Sequence, residues 1–172
     1  AYKRDETFDH WSAAPFRGLK RDIYEGGHHV PFLIRWPGVT EAGSTCDELV
    51  SQIDIMATLA GSLGVELPDD AAEDSHDLMP LLQGGSHPVR ESHIHNTRED
   101  QYAIRVGDWV LVDAKNGYMS GQNKPWEAKH GYAPDDDGDV ELYNLAEDIG
   151  QRTNLAADQP ERVQSMRALL TP

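Results

Sequence analysis

Hydrophobic positions along this chain follow one grammar in its first half and another in its second. The longest apolar run is Val30-Pro31-Phe32-Leu33-Ile34-Arg35-Trp36, closed by Pro37-Gly38. It shows no alternation, so it predicts a strand buried on both faces, as in a parallel sheet covered by helices. Residues 49–52 predict a further short strand. Ile55, Leu59 and Leu63 then recur at i, i+4 and i+8, the stripe of a helix that covers a sheet, with Asp54 as its N-cap and Gly64 as its stop. Leu78-Met79-Pro80-Leu81-Leu82 predicts one short helical turn.

Gly84-Gly85-Ser86-His87-Pro88 marks a boundary. Beyond it the pattern is antiparallel. Ser92-His93-Ile94-His95 predicts a short strand, and residues 102–106 and 109–112 flank Gly107-Asp108, a two-residue hairpin signal. Tyr102, Ile104 and Val106 should share one face, with Ala103 and Arg105 on the other. Residues 115–139 are polar and rich in Gly and Pro, an ordered excursion or a mobile loop. Residues 141–145 predict another strand. Asp158 and Glu161 have capping-box spacing around Pro160, ahead of a last helix whose buried stripe is Val163, Met166, Leu169 and Leu170. The first 19 residues have no period and read as a loop anchored by Phe8, Trp11 and Phe16.

Candidate chemistry gathers just before the apolar run, in Gly18-Leu19-Lys20-Arg21-Asp22-Ile23-Tyr24-Glu25-Gly26-Gly27-His28-His29-Val30-Pro31. Gly26 and Gly27 allow positive φ or close backbone approach. Lys20 offers three donors and a full charge to an anionic group. A polar loop at the end of a buried strand is where α/β proteins place their sites. Out of context, Lys20 would be a solvated surface charge.

The context is specific. Gly-x-Lys-x-x-x-Tyr-Glu-Gly-Gly-x-x-Val-Pro followed by Arg-Trp-Pro-Gly resembles a signature of the sulfatase family, within the alkaline-phosphatase-like superfamily. In that family the lysine four residues before Tyr-Glu-Gly-Gly binds the sulfate ester, so the resemblance assigns that role to Lys20. The family has arginine where this chain has His29. Residues 102–109, 141–145 and Thr153-Asn154-Leu155 resemble the same family's C-terminal subdomain. The implied fold class is α/β: the end of an alkaline-phosphatase-like sheet domain over residues 1–84, then a small α+β antiparallel-sheet subdomain over 85–172.

The resemblance also implies what this chain lacks. Family members hydrolyse sulfate esters with a formylglycine nucleophile, made from Cys or Ser in Cys/Ser-x-Pro-x-Arg, and with calcium held by Asp and Asn. Cys46 stands in Ser44-Thr45-Cys46-Asp47-Glu48, without the Pro and Arg, and no Ser has that context. Nucleophile and calcium ligands are therefore expected outside this chain, which alone should not turn over substrate. The implied partners are the N-terminal part of the sulfatase domain and a sulfated small molecule or carbohydrate. Periplasmic or extracellular location follows from the resemblance alone. A phosphoester hydrolase of the same superfamily and a non-catalytic binding or assembly module remain open alternatives.

Composition narrows the partners. Among 172 residues, 15 Lys and Arg oppose 30 Asp and Glu, a formal net charge of -15. That balance argues against nucleic acid and anionic membrane. A lone cysteine excludes an internal disulfide.

Five other groups remain as candidates. Glu25 is either a partner that positions the lysine loop or a surface carboxylate capping turn amides. His28 and His29 would face opposite ways on a strand, a poor pair for one metal. His93 and His95 share a face if extended, but no third ligand has convincing spacing, so no metal site is expected from them. The resemblance places this segment at the mouth of the active site, making His95 and Asn96 candidates for the substrate's organic part. Asp135-Asp136-Asp137-Gly138-Asp139 lacks the register of a calcium loop and reads as a solvated acidic turn. Trp126 could stack on a sugar ring or anchor its loop.

Overall fold

A computed structural model describes residues 7–119, 121, 123–132 and 139–170. The chain forms two compact units, one of residues 1–30 with 94–172 and one of residues 31–93. The acidic run at 135–138 lies outside the described residues.

The first unit is built on a four-stranded sheet in sequence order, β1 (Ser92–Arg98), β2 (Gln101–Val106), β3 (Trp109–Asp113) and β4 (Glu141–Asn144). The hairpin forms as its residues predict: Val106 pairs with Trp109 and Tyr102 with Asp113, around Gly107 at φ +57. β4 adds antiparallel to β3, with Leu111 opposite Leu142. Both faces of the hairpin are covered. Ile104, Leu111 and Leu142 are buried with Met166, and Val163 and Leu170 pack on the same cluster. Ala103, Val110 and Val112 are buried on the other face with Leu19, Ile23, Tyr24, Tyr118 and Trp126. The alternation predicted for β2 is therefore real, but each face meets a different layer.

One layer is the closing helix, Pro160–Ala168, here α5. Pro160 starts it as expected. The capping box does not form: the N-cap is Gln159, with no side-chain cap bond. Leu169 is exposed rather than buried. The excursion after β3 contains a short helix, α4 (Lys124–Lys129), whose N-cap Asn123 accepts from the Trp126 amide at 3.1 Å. Trp126 is buried, with His130 stacked at 4.0 Å on its ring and the edge of Trp11 at 5.4 Å. It anchors the loop. Of the three aromatic anchors expected in the opening segment, Trp11 packs on the core and Phe16 stacks on His29, while Phe8 is exposed.

The second unit holds α2 (Asp54–Leu63) and α3 (Met79–Leu82). Gly64 ends α2 at φ +65, the left-handed cap its position predicts. Asp54 is not the N-cap; that residue is Ile53. The reason is a stronger demand on the carboxylate. Asp54 is fully buried, pairs with the guanidinium of Arg90, and accepts from the amides of Ser51 at 2.7 Å and His76 at 3.0 Å. Burial alone would raise this carboxyl. Arg90 and the two amides outweigh it and hold the group below its usual range.

Three expectations for residues 30–63 are corrected. Residues 30–36 lie outside any strand, with Leu33 88% exposed, and residues 49–52 form no strand either. A strand needs a neighbour's backbone groups, and among the described residues none pairs with this run. The predicted helix stripe is also uncovered, with Ile55, Leu59 and Leu63 all exposed.

Close packing of the first unit depends on Gly117. A Cβ there would sit 2.5 Å from Ile23 Cγ2 and 2.7 Å from Tyr24 Cζ, inside van der Waals contact. Gly117→Ala is expected to destabilise the protein by about 1–3 kcal/mol, the usual cost of overpacking. Urea unfolding should show the midpoint falling with an unchanged slope.

Candidate active-site loop

The segment around Lys20 is a tight turn held from both sides. The amide of Asp22 donates to the Leu19 carbonyl at 2.8 Å and closes the four residues from Leu19 to Asp22. Arg21, third in the turn, has φ +79, a left-handed geometry that costs a non-glycine residue about 1–2 kcal/mol. Leu19 and Asp22 are buried while Lys20 and Arg21 are exposed, so the base of the turn is sunk and its two basic residues lie at the surface. The Ile23 amide donates to Gly117 O at 2.8 Å and the Met119 amide to Asp22 Oδ1 at 2.8 Å. From β1, Thr97 Oγ1 donates to Arg21 O and His95 Nε2 donates to Ile23 O at 3.0 Å.

The turn leads into α1 (Glu25–His28), one helical turn. Here the glycine pair serves close approach rather than positive φ. A Cβ on Gly26 would meet Gly18 O at 2.3 Å, and one on Gly27 would meet Asp22 O at 1.9 Å. Any side chain would pry the lysine turn away from the helix behind it.

Glu25 is 8% exposed. Its amide donates to Gln151 Oε1 at 2.9 Å. Its carboxylate lies 3.1 Å from His29 Nδ1 and 3.8 Å from Arg105 Nη1. Burial rules out the reading of Glu25 as a surface carboxylate; its side chain instead ties His29 to Arg105 of β2. His29 contributes a hydrogen bond there and stacks on Phe16 at 4.2 Å.

Of the expected substrate-binding residues, His95 is brought to the lysine loop. Its ring also lies 4.2 Å from that of His28. Because a carbonyl only accepts, the bond to Ile23 O fixes the proton on Nε2 of neutral His95. Burial lowers its pKa, and Ile23 O and Glu25 only partly oppose this. Asn96, next along β1, is exposed, as strand alternation requires. Cys46 is exposed in the other unit.

The residue that sequence reasoning missed is Arg17, one position before the motif. Its guanidinium lies 4.0 Å above the Tyr24 ring and 5.3 Å from the Tyr118 ring. It donates to Tyr118 Oη at 2.8 Å, Tyr143 Oη at 2.6 Å and Glu141 Oε2 at 3.0 Å. Tyr24 Oη in turn donates to Glu141 Oε1 at 2.9 Å. No local spacing signals this cage, because Tyr118, Glu141 and Tyr143 lie 101, 124 and 126 positions from Arg17. The resemblance implies calcium in the complete site. Among the described residues no three His, Cys, Asp or Glu side chains converge, so these residues do not fit a calcium cage on their own.

A family model described as "N-sulphoglucosamine sulphohydrolase, C-terminal" matches residues 18–170. The chain belongs to the sulfatase family. It is a C-terminal portion, homologous to enzymes that hydrolyse sulfate esters. An N-acetylgalactosamine-6-O-sulfatase of Bacteroides thetaiotaomicron is 30% identical over 171 residues, 97% of this chain and 32% of that protein. Rat steryl-sulfatase is 48% identical over 69 residues, 40% of this chain and 12% of its own length. A sulfatase structure from work on glycosaminoglycan metabolism by Bacteroides thetaiotaomicron superposes with a TM-score of 0.77 at 30% identity, over 97% of this chain and 33% of that one. The chain thus spans about a third of the length of the sulfatases it resembles along its whole extent. Among the described residues no helix is long and apolar enough to cross a membrane.

Glu25 generates a pH prediction. Burial by itself would raise its carboxyl, but the His29 hydrogen bond and the Arg105 charge outweigh burial and hold it below the ordinary value. A depressed folded pKa contributes stability above the unfolded pKa, and that contribution is lost as pH falls through the folded value. Glu25→Gln should lower stability at neutral pH and weaken the acid limb of a melting-temperature profile between about pH 5 and pH 2. An unchanged acid limb would exclude the Glu25 carboxylate as a source of that stability.

Proposed function

We propose that this chain is the part of a sulfate-ester hydrolase that supplies the sulfate-holding lysine. Lys20 is the group. The observation that carries the reading is its place: an exposed ammonium on a turn whose neighbours Leu19 and Asp22 are buried, inside the segment matched by the family model. An ammonium carried on a fixed turn would stabilise charge that develops on the sulfuryl oxygens as the ester bond breaks. His95, beside the loop on β1, and its neighbour Asn96, exposed on the other face of the strand, are proposed to meet the organic part of the ester.

The rest of the machinery is proposed to come from the N-terminal part of the enzyme. That part would bring the formylglycine nucleophile and the calcium ligands, and the chain alone would be inactive. It would also cover the second unit, whose exposed Phe32, Ile34, Ile55 and Leu59 line an apolar recess of about 210 Å³ with Trp36 and Leu78. In this reading residues 1–84 complete the large sheet domain, with residues 30–36 pairing as a strand once its neighbour is present. The substrate is proposed to be a sulfated small molecule or carbohydrate. The N-acetylgalactosamine-6-O-sulfatase relative, similar along the whole chain, favours a carbohydrate.

The test is hydrolysis of a sulfate ester and of the matching phosphate ester by the full-length polypeptide that contains these residues. Sulfate turnover should predominate. Lys20→Ala should lower kcat/KM for the sulfate ester by about 10²–10³, the usual cost of losing one donor to a transition-state oxyanion. Preference for phosphate would move the protein to the phosphoester hydrolases, and no turnover of either would favour a binding module. A second measurement concerns the chain by itself, which should show no sulfate-ester turnover.

A further inference from the structure

We propose that Asp22 is the positioning residue for Lys20, acting through the turn and never touching substrate. The inference rests on the reading of Lys20 as the sulfate-holding group. Asp22 has no solvent exposure, and burying a carboxylate is costly unless its oxygens are bonded. Both are. Oδ2 accepts from the Leu19 amide at 2.8 Å, inside the turn. Oδ1 accepts from the Met119 amide at 2.8 Å, 97 positions along the chain. The same residue's amide closes the turn on Leu19 O, and the next amide, of Ile23, reaches Gly117 O at 2.8 Å. Asp22 is therefore the joint at which the lysine turn is bolted to segment 117–119.

The opposite side is held by Thr97 Oγ1 on Arg21 O. Lys20 lies between these attachments, so its Cα has little freedom although its side chain is exposed. A lysine side chain already carries rotamer entropy that sulfate binding must offset, and a wandering backbone would add to it. Fixing the backbone in advance leaves only the side chain to order. The left-handed φ of Arg21 is maintained by the same bonds, since without them an arginine has no reason to hold it. Asp22 thus acts on the charge of Lys20 by geometry, from beneath the turn.

The experiment is a double-mutant cycle in the full-length polypeptide, reading kcat and KM on a sulfate ester alongside the melting temperature. Asp22→Asn keeps one carbonyl acceptor and loses the second strong one. It should lower kcat/KM by about tenfold when Lys20 is present. In the Lys20→Ala background the further loss should be under about twofold, because there is no ammonium left to misplace. A purely structural role predicts instead the same loss in both backgrounds. Equal losses, or no loss on Asp22→Asn, overturn the proposal while the role of Lys20 stands. If Lys20→Ala leaves kcat/KM unchanged, the underlying reading falls and the proposal with it. Should Asp22→Asn fail to fold, Thr97→Val removes the attachment on the other side of the turn. It should show a smaller loss, about threefold, with the same dependence on Lys20, and an equal loss in both backgrounds would overturn the proposal.

Discussion

The first unit is organised around one partly buried cation. Arg17 sits among Tyr24, Tyr118 and Tyr143 with Glu141 as its counter-ion, and it also donates to Gln151 O at 3.3 Å. Burial opposes the charge, and the oxygens of Tyr24, Tyr143, Tyr118 and Glu141 more than offset it, so the guanidinium stays protonated. Such a cage is stable only when complete, because removing one member leaves a buried charge or hydroxyl unpaired. Its members come from the opening loop, the motif, the excursion after β3 and β4. Chain segments far apart in sequence are drawn together by one guanidinium's five donors.

From that anchor the lysine loop follows by exclusion of volume. Gly26 and Gly27 let backbone run against backbone at Gly18 and Asp22, and Gly117 lets the excursion press on Ile23 and Tyr24. These glycines are needed for what they lack. With the three surfaces in contact, Asp22, Glu25 and Gln151 lie deep enough for their hydrogen bonds to be shielded from water. The result is a rigid floor beneath an exposed Lys20, which is the arrangement that preorganised anion binding requires.

The second unit shows the opposite balance. Its buried polar centre, Asp54 with Arg90, is well satisfied, yet Phe32, Leu33 and Ile34 and the apolar stripe of α2 are exposed. Contiguous exposed apolar surface of this kind marks an interaction surface in soluble proteins. Asp54 also shows how tertiary demand overrides a local rule: the capping position predicted for it passes to Ile53, and its carboxylate serves a guanidinium 36 residues away.

The local elements were legible in sequence because they depend on neighbours in the chain. The hairpin around Gly107-Asp108, the left-handed stop at Gly64, the closing helix begun by Pro160 and the motif around Lys20 are all short-range signals, and each is where its residues place it. So is family membership, which rests on a long spaced motif. The pattern could not tell where the apolar run 30–36 would go, since a strand exists only with a partner strand to bond. Nor could it reveal the Arg17 cage or the bond from Met119 to Asp22, whose partners are about a hundred positions apart. Periodicity reports which side of an element is apolar; which charges meet beneath it is decided by the folded chain, where distance in space replaces distance in sequence.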